Sequence, residues 1–320
     1  MPQFIKHFKD LSYKDVAIAG GKGASLGEML RAGIPVPPGF VILANAFEYF
    51  MKETPRSPVA ETGLDIDAQL TKVNYDDTNS IDQASNVIRD IMQDTPIPKE
   101  LAEEIAKEFK KLRAPLVAVR SSATAEDSSV ASWAGELETY LNTTEKNLLE
   151  NVKRCWSSLF TPRAIFYRYE KKLSDQQVLV AVVVQQMVQS EISGIAFTVH
   201  PVTKDKNHMV IEAGYGLGEA IVSGQVTPDT YIIDKRDFSI IDINVAEQKK
   251  MLVKNAKGGI IWKNVAKNQQ EKQTLTGKEI IELAKLCAKI EKHYKHPQDI
   301  EWAFAKSKFY ITQSRPITTL

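Results

Sequence analysis

The sequence predicts an α+β chain folded as two lobes with mixed sheets, and three observations carry that prediction. At 320 residues the chain exceeds what one hydrophobic core usually serves. Its first half is rich in helix-period segments, whereas β-branched and alternating runs dominate the second. The change of character places the lobes at residues 1–190 and 191–320.

Along the first lobe, residues 23–32 carry Ala24, Leu26, Met29 and Leu30 at the spacing of one helix face. The Gly20-Gly21-Lys22-Gly23 turn precedes that helix, and a Gly/Pro-rich stretch from Gly33 to Gly39 ends it. A strand at 40–43 and a short helix at 44–51 follow. Residues 53–80 are polar and read as connector with little helix. Two amphipathic helices are expected at 81–92 and 98–112, then a strand at 116–119. A loop of small and hydroxyl residues comes next, containing Ser121, Ser122, Thr124, Ser128, Ser129, Ser132 and Gly135. A strand at 138–141 and helices reaching residues 160 and 171 complete this part. The continuous β-branched run 178–184 has the pattern of a strand buried on both faces. Further strands are expected at 194–199, 209–212, 230–234 and 239–243. A helix at 277–294 precedes a closing pair of strands, 299–304 and 309–313, joined by Lys306-Ser307-Lys308.

Composition excludes several classes. Lys plus Arg total 41 and Asp plus Glu total 40, so the net charge is +1, without the basic excess of a nucleic-acid or membrane-surface binder. The longest apolar run is far below the ~20 residues needed to span a bilayer, and the first residues have no signal-type apolar core. The two cysteines, Cys155 and Cys287, lie far apart within helical patterns. They read as reduced, packed thiols, and a cytoplasmic location is expected.

Three clusters have the chemistry of a polyphosphate site. Glycines at a helix start let backbone approach an anion, and Lys22 adds a cation; the plain alternative is a tight turn with a solvated lysine. The spacing is not that of a Walker A loop. Arg120 stands at the root of the Ser/Gly loop, a fork beside backbone N–H groups, where the alternative is a flexible surface loop. On the closing hairpin, alternation puts Asp299 and Glu301 on one face of one strand, and Gln313 and Arg315 on one face of the next. Two carboxylates and an amide suit Mg²⁺; the alternative is a charged surface hairpin. Gly214 to Glu219 lacks the third glycine of a dinucleotide fingerprint and reads as a loop before a helix.

The segments GGKGASLGEML, VPPGFVI, AVRSSATAEDSSVASWAGELETYLN, VVVQQMV, SGIAFTVHP, GYGLGEAIVSGQVTPD, DIEWAF and ITQSRPIT occur in this order across the chain. Together they resemble the N-terminal ATP-binding domain shared by phosphoenolpyruvate synthase, pyruvate phosphate dikinase and rifampicin phosphotransferase. The resemblance implies an ATP-grasp-like fold with ATP between two lobes. It implies phosphate contacts from Lys22, Arg120 and Arg315, nucleotide-covering positions at Gly135 and Thr139, and an adenine-end residue at Gln185. Glu301 and Gln313 match ligands of Mg²⁺ and ATP, and Asp299 matches a further acidic position. His200 stands where relatives usually carry Asp or Asn. Relatives are expected to continue into a histidine-bearing swivel domain and a PEP/pyruvate-binding domain, neither of which this chain contains. The implied activity is phosphotransfer from ATP to that histidine and on to pyruvate. An ATP-binding module without turnover, or half of an antibiotic phosphotransferase, are the other readings.

Overall fold

A computed structural model describes residues 3–53, 62–124, 138–173 and 178–318. The chain divides into two compact units: residues 1–27 with 38–187, and residues 28–37 with 188–320.

The first unit contains β1 (Ile5–His7), α1 (Val16–Arg31, its last turn counted with the second unit), β2 (Gly39–Ile42), α2 (Ala44–Glu53), α3 (Thr62–Thr71), α4 (Thr78–Asp94) and α5 (Lys99–Leu112). It continues with β3 (Val117–Ala123), β4 (Thr139–Thr143), α6 (Leu148–Ser157), α7 (Pro162–Glu170) and β5 (Val180–Gln186). The five strands form one sheet in the order β1-β2-β5-β3-β4. The β-branched run lies in its centre, where residues 180–184 are fully buried. Alternation divides the sheet. Val117, Val119, Val180, Val182 and Val184 join the apolar faces of the helices in one core, with Trp156 stacked on Phe50 at 4.9 Å. Ala118, Arg120, Ser122, Val183 and Gln185 point to the opposite face.

The polar stretch expected to be poor in helix instead holds α3 and the start of α4. Asp77 caps α4 by accepting from the Asn79 N–H at 3.0 Å, and α3 buries Ile66 in the core. A capped end on α4, and Ile66 and Leu70 of α3 packed on the core, suffice where tertiary packing supplies the rest.

The second unit contains β6 (Ile192–Phe197), β7 (His208–Tyr215), α8 (Glu219–Val222), β8 (Asp229–Asp234), β9 (Ile240–Asn244), β10 (Lys250–Lys254), β11 (Ile260–Asn264), α9 (Gly277–Tyr294), β12 (Gln298–Ala305) and β13 (Lys308–Pro316). Six strands form a sheet in the order β13-β12-β6-β7-β8-β9, while β10 and β11 make a separate hairpin. α9 begins with a capping box between Thr276 and Glu279. Lys306 and Ser307 both take positive φ, giving the tight turn that joins β12 to β13.

The α+β class holds, but the sheets are not mixed. Each pairing within them is antiparallel, and the parallel pairing present is an isolated bridge between Gly216 and Leu252. Neighbouring strands are joined by hairpins or by connections that cross and return, which reverse direction at each step. The sequence reading also passed over β1, β10 and β11. The first is three residues long, and the other two, KMLVK and IIWKN, are five residues each without a clean apolar/polar alternation.

One buried carboxylate ties the segment after β9 to the sheet. Asp229 is fully buried, and one oxygen accepts from Ala246 N–H (3.0 Å) and Gln248 Nε2 (3.2 Å). The other accepts from Tyr231 Oη, Thr274 N–H and Thr274 Oγ1 at 2.8–3.0 Å. His200 fills a local role: its Nδ1 accepts from the N–H groups of Val202 and Thr203, both at 3.3 Å. An Asp or Asn oxygen can make the same kind of turn.

Candidate functional site

In the first unit the Lys22 turn is fixed by a glycine and a hydroxyl. Gly20 has φ 68° and ψ 170°, so the helical run breaks there and restarts at Gly21. A Cβ at Gly20 would lie 2.2 Å from Ser122 Oγ and 2.3 Å from the Ser122 carbonyl oxygen. Only glycine fits both the dihedral and the approach. Ser122 Oγ donates to the Ala19 carbonyl (3.0 Å) and accepts from the Gly23 N–H (3.3 Å). One hydroxyl thus fastens the turn to β3, two residues past Arg120.

Arg120 lies on β3 between Val183 of β5 and Thr139 of β4, and it is buried. Its Nη1 donates to Gln185 Oε1 at 3.4 Å. Gln185 is 3% exposed, and its Nε2 has no hydrogen-bond partner among the described residues. A buried amide N–H without a partner costs about 1–3 kcal/mol, so this donor is available to an acceptor. The start of β4 is held separately. The Glu138 carbonyl accepts from Ser121 N–H (3.1 Å) and Oγ (2.9 Å), while its carboxylate takes Arg89 Nη2 (2.9 Å) and the Tyr140 hydroxyl. Gly135, Ser128, Ser129 and Ser132 lie outside the described residues. Cys155, beneath this site, is pushed up to about 12 by burial and is an inert thiol.

In the second unit the register does the assembly. Asp299 stands opposite Arg315, and Glu301 opposite Gln313. Arg315 holds Asp299 through Nε at 2.9 Å and Nη2 at 2.8 Å. The pairing shifts between Glu301 and Trp302, so that Trp302 faces Ile311 and Thr312 is the extra residue. This bulge matters for orientation. Ile311 shares the buried apolar face of Trp302, yet Gln313, two residues on, shares the face of Glu301. Glu212 joins the same face, because Glu301 pairs with Ile195 of β6, and Ile195 pairs with Glu212 of β7.

Burial raises the pKa of Asp299, with the Arg315 charge and hydrogen bond working against it. Burial also raises that of Glu212, and the Asp299 charge adds to the effect. Among the described residues no three His, Cys, Asp or Glu side chains converge as a ready-made metal cage. Mg²⁺ does not need one, since it is commonly held by one or two carboxylates, waters and substrate phosphates.

A protein-family model described as "Pyruvate phosphate dikinase, AMP/ATP-binding domain" matches residues 16–320. The chain belongs to that family. A probable phosphoenolpyruvate synthase from Methanocaldococcus jannaschii is 46% identical over 99% of this chain and 27% of its own length. Phosphoenolpyruvate synthase from Pyrococcus furiosus is 42% identical over 99% of this chain and 44% of its own. Rifampicin phosphotransferase from Bacillus subtilis is 38% identical over 100% of this chain and 36% of its own. The chain therefore spans less than half the length of these relatives. A solved structure, D-alanyl-alanine synthetase A from Vibrio cholerae, aligns over 92% of this chain and 58% of its own, at 13% identity and a TM-score of 0.32.

For a member of an AMP/ATP-binding family, the geometry groups the sequence-derived residues into two sets. Arg120, Thr139 and Gln185 lie on adjacent strands of the first unit, and Ser122 ties the Lys22 turn to the same sheet. Asp299, Glu301, Gln313 and Arg315 form the second set. Glu212 escaped the sequence reading. Its strand was recognisable, but nothing local reveals that β7 lies one strand beyond β6 on the acidic face. The loop at 214–219 is as expected: β7 ends at Tyr215, Gly216 takes φ 81°, and α8 starts at Glu219. Among the described residues no helix is long and apolar enough to cross a membrane.

Proposed function

We propose that this chain is the ATP-binding phosphotransferase portion of a phosphoenolpyruvate-synthase-type enzyme. Mg-ATP is its substrate, and a histidine on a separate swivel domain receives the phosphoryl group before transfer to pyruvate. In the complete enzyme ATP, pyruvate and water give phosphoenolpyruvate, AMP and phosphate. The observation that carries this reading is the unpartnered Gln185 Nε2 beside buried Arg120, on the sheet face to which the Lys22 turn is fastened. An amide donor next to a fixed cation suits a ligand with ring acceptors at one end and negative charge at the other.

Lys22, Arg120 and Arg315 are assigned to the phosphates, where they spread and neutralise charge on the transferred group. Positioning and electrostatics supply most of the catalysis in such reactions. Arg315 is oriented by Asp299, which fixes the plane of its guanidinium. Thr139 and Gly135 are assigned to the cover over the nucleotide. Glu301 and Gln313, with Asp299 beside them, are the residues that would hold Mg²⁺, whose contribution is further neutralisation of phosphate charge. The two lobes at 1–190 and 191–320 are the division of the chain that this reading adopts.

A second reading keeps the chemistry and changes the acceptor, and the 38% identity to a rifampicin phosphotransferase favours it. The 42–46% identity to synthases favours pyruvate. A third reading is an ATP-binding module without turnover. The test supplies a separately produced histidine-bearing swivel domain from a synthase-type enzyme, adds Mg-ATP, and measures AMP. AMP formed only in its presence supports the proposal. Tight ATP binding without AMP refutes it in favour of the module or another cognate acceptor. Arg120→Ala should lower AMP formation by about 100-fold or more while circular dichroism is unchanged.

A further inference from the structure

The hairpin of β10 and β11 has no part in the proposed chemistry. Residues 249–267 contain Lys249, Lys250, Lys254, Lys257, Lys263 and Lys267, all exposed, and no acidic residue, in a chain of net charge +1. Interleaved with them, Ile260, Ile261 and Trp262 are 36%, 45% and 40% exposed. Lys250 Nζ stands 4.3 Å from the centroid of the Trp262 ring.

The two strands differ in how they are held. β10 is anchored: Leu252 is 4% exposed, and its carbonyl accepts from the Leu217 N–H at 2.9 Å. Asp229 grips Ala246 and Gln248 at the base of the arm. β11 pairs with β10 and, among the described residues, has no second neighbour. Hydrogen bonds from Val265 N–H to the Lys249 carbonyl and from Asn255 N–H to the Gly259 carbonyl, both 3.0 Å, set the phase of the ladder. In that phase Met251/Lys263 and Val253/Ile261 are the hydrogen-bonded pairs. The backbone N–H and C=O groups of Ile260, Trp262 and Asn264 therefore face outward.

We propose that β11 is a docking edge that accepts an acidic protein segment as an added strand. The outward backbone groups supply the pairing, the Ile260/Ile261/Trp262 side chains supply apolar contact, and the surrounding lysines select for alternating acidic residues. Charge decides among occupants. A second copy would set one lysine-lined edge against another, and like charges across a strand pair oppose association. A nucleic acid offers no strand to complete the ladder and little for two isoleucines to bury against. An anionic bilayer lacks the backbone partners that the edge presents.

The test titrates the whole chain with a short capped peptide alternating Glu and Val, followed by calorimetry at low salt. Saturable one-to-one binding is expected. It should weaken about tenfold when Lys250, Lys254 and Lys263 are replaced by Glu, with circular dichroism and ATP binding unchanged. It should also be lost when alternate peptide nitrogens are methylated, which removes pairing and leaves charge intact. Equal binding of the methylated peptide, or of poly-glutamate, would reduce the arm to a charged surface and overturn the proposal. So would absence of peptide binding, or tighter binding to an oligothymidine or to phosphatidylserine vesicles.

Discussion

The two units assemble their charged groups by different means. In the second, four of the five residues come from one hairpin, and strand register alone brings Asp299 to Arg315 and Glu301 to Gln313. In the first, Lys22, Arg120 and Gln185 come from a helix start and two strands, separated by 98 and 65 positions (120 − 22 and 185 − 120). What brings them together is a glycine with positive φ, one serine hydroxyl and the order of strands in a sheet. A set built by register tolerates change in its surroundings as long as pairing holds. A set built by convergence depends on single atoms.

That contrast can be broken at Gly20. Gly20→Ala is expected to cost about 3 kcal/mol or more, from a disfavoured dihedral added to overlap with the Ser122 backbone. Urea unfolding checks it, and a loss below about 1 kcal/mol would show that the turn adapts. Next in size is Gln185→Leu, which removes the unpartnered amide N–H together with the oxygen that accepts the long 3.4 Å bond from Arg120. It should weaken ATP binding about tenfold, the worth of one hydrogen bond, and change stability by less than about 1 kcal/mol. Calorimetry with ATP gives the first quantity and urea the second; unchanged affinity would separate Gln185 from the nucleotide.

In the second unit the expected effects are smaller. His200→Ala should lose about 1 kcal/mol as two backbone N–H groups lose their acceptor, whereas His200→Asn should stay within about 0.5 kcal/mol. Equal destabilisation by both would show that the ring matters for packing. The smallest effect is at Glu212. Burial raises its pKa, so the folded state holds its proton to higher pH than the unfolded chain does. Its contribution to stability is fully present below the ordinary carboxylate range, near pH 4, and is lost as pH rises through the folded value. Glu212→Gln should therefore raise Tm at pH 7, with the difference fading toward pH 4. A gain that persists in acid would point away from charge.

Much of this was legible in the sequence because it is local. Alternation identified the faces of the closing hairpin, a β-branched run identified the central strand of the first sheet, and glycines flagged the Lys22 turn. What stayed hidden depends on which strands become neighbours. Glu212 needs β6 and β7 side by side, and Ser122 was visible only as one hydroxyl among many until Gly20 was seen against it. The helix α3 was hidden for another reason: its polar sequence is held by Ile66 and the core beyond it, not by its own periodicity.

The extra residue at Thr312 has a consequence for how this hairpin can change length. From the turn to Ile311, the strand keeps step with the apolar interior; from Gln313 onward it keeps step with the charged face. The two stretches are, in effect, separate reading frames joined by one residue of slack. Deleting Thr312 would merge the frames into one regular ladder, in which Ile311 and Gln313 become consecutive and still alternate between the faces of Trp302 and Glu301. Insertions at the Lys306-Ser307 turn would be absorbed before they reached that point. Drift in the outer half of the hairpin is thereby insulated from the charged half.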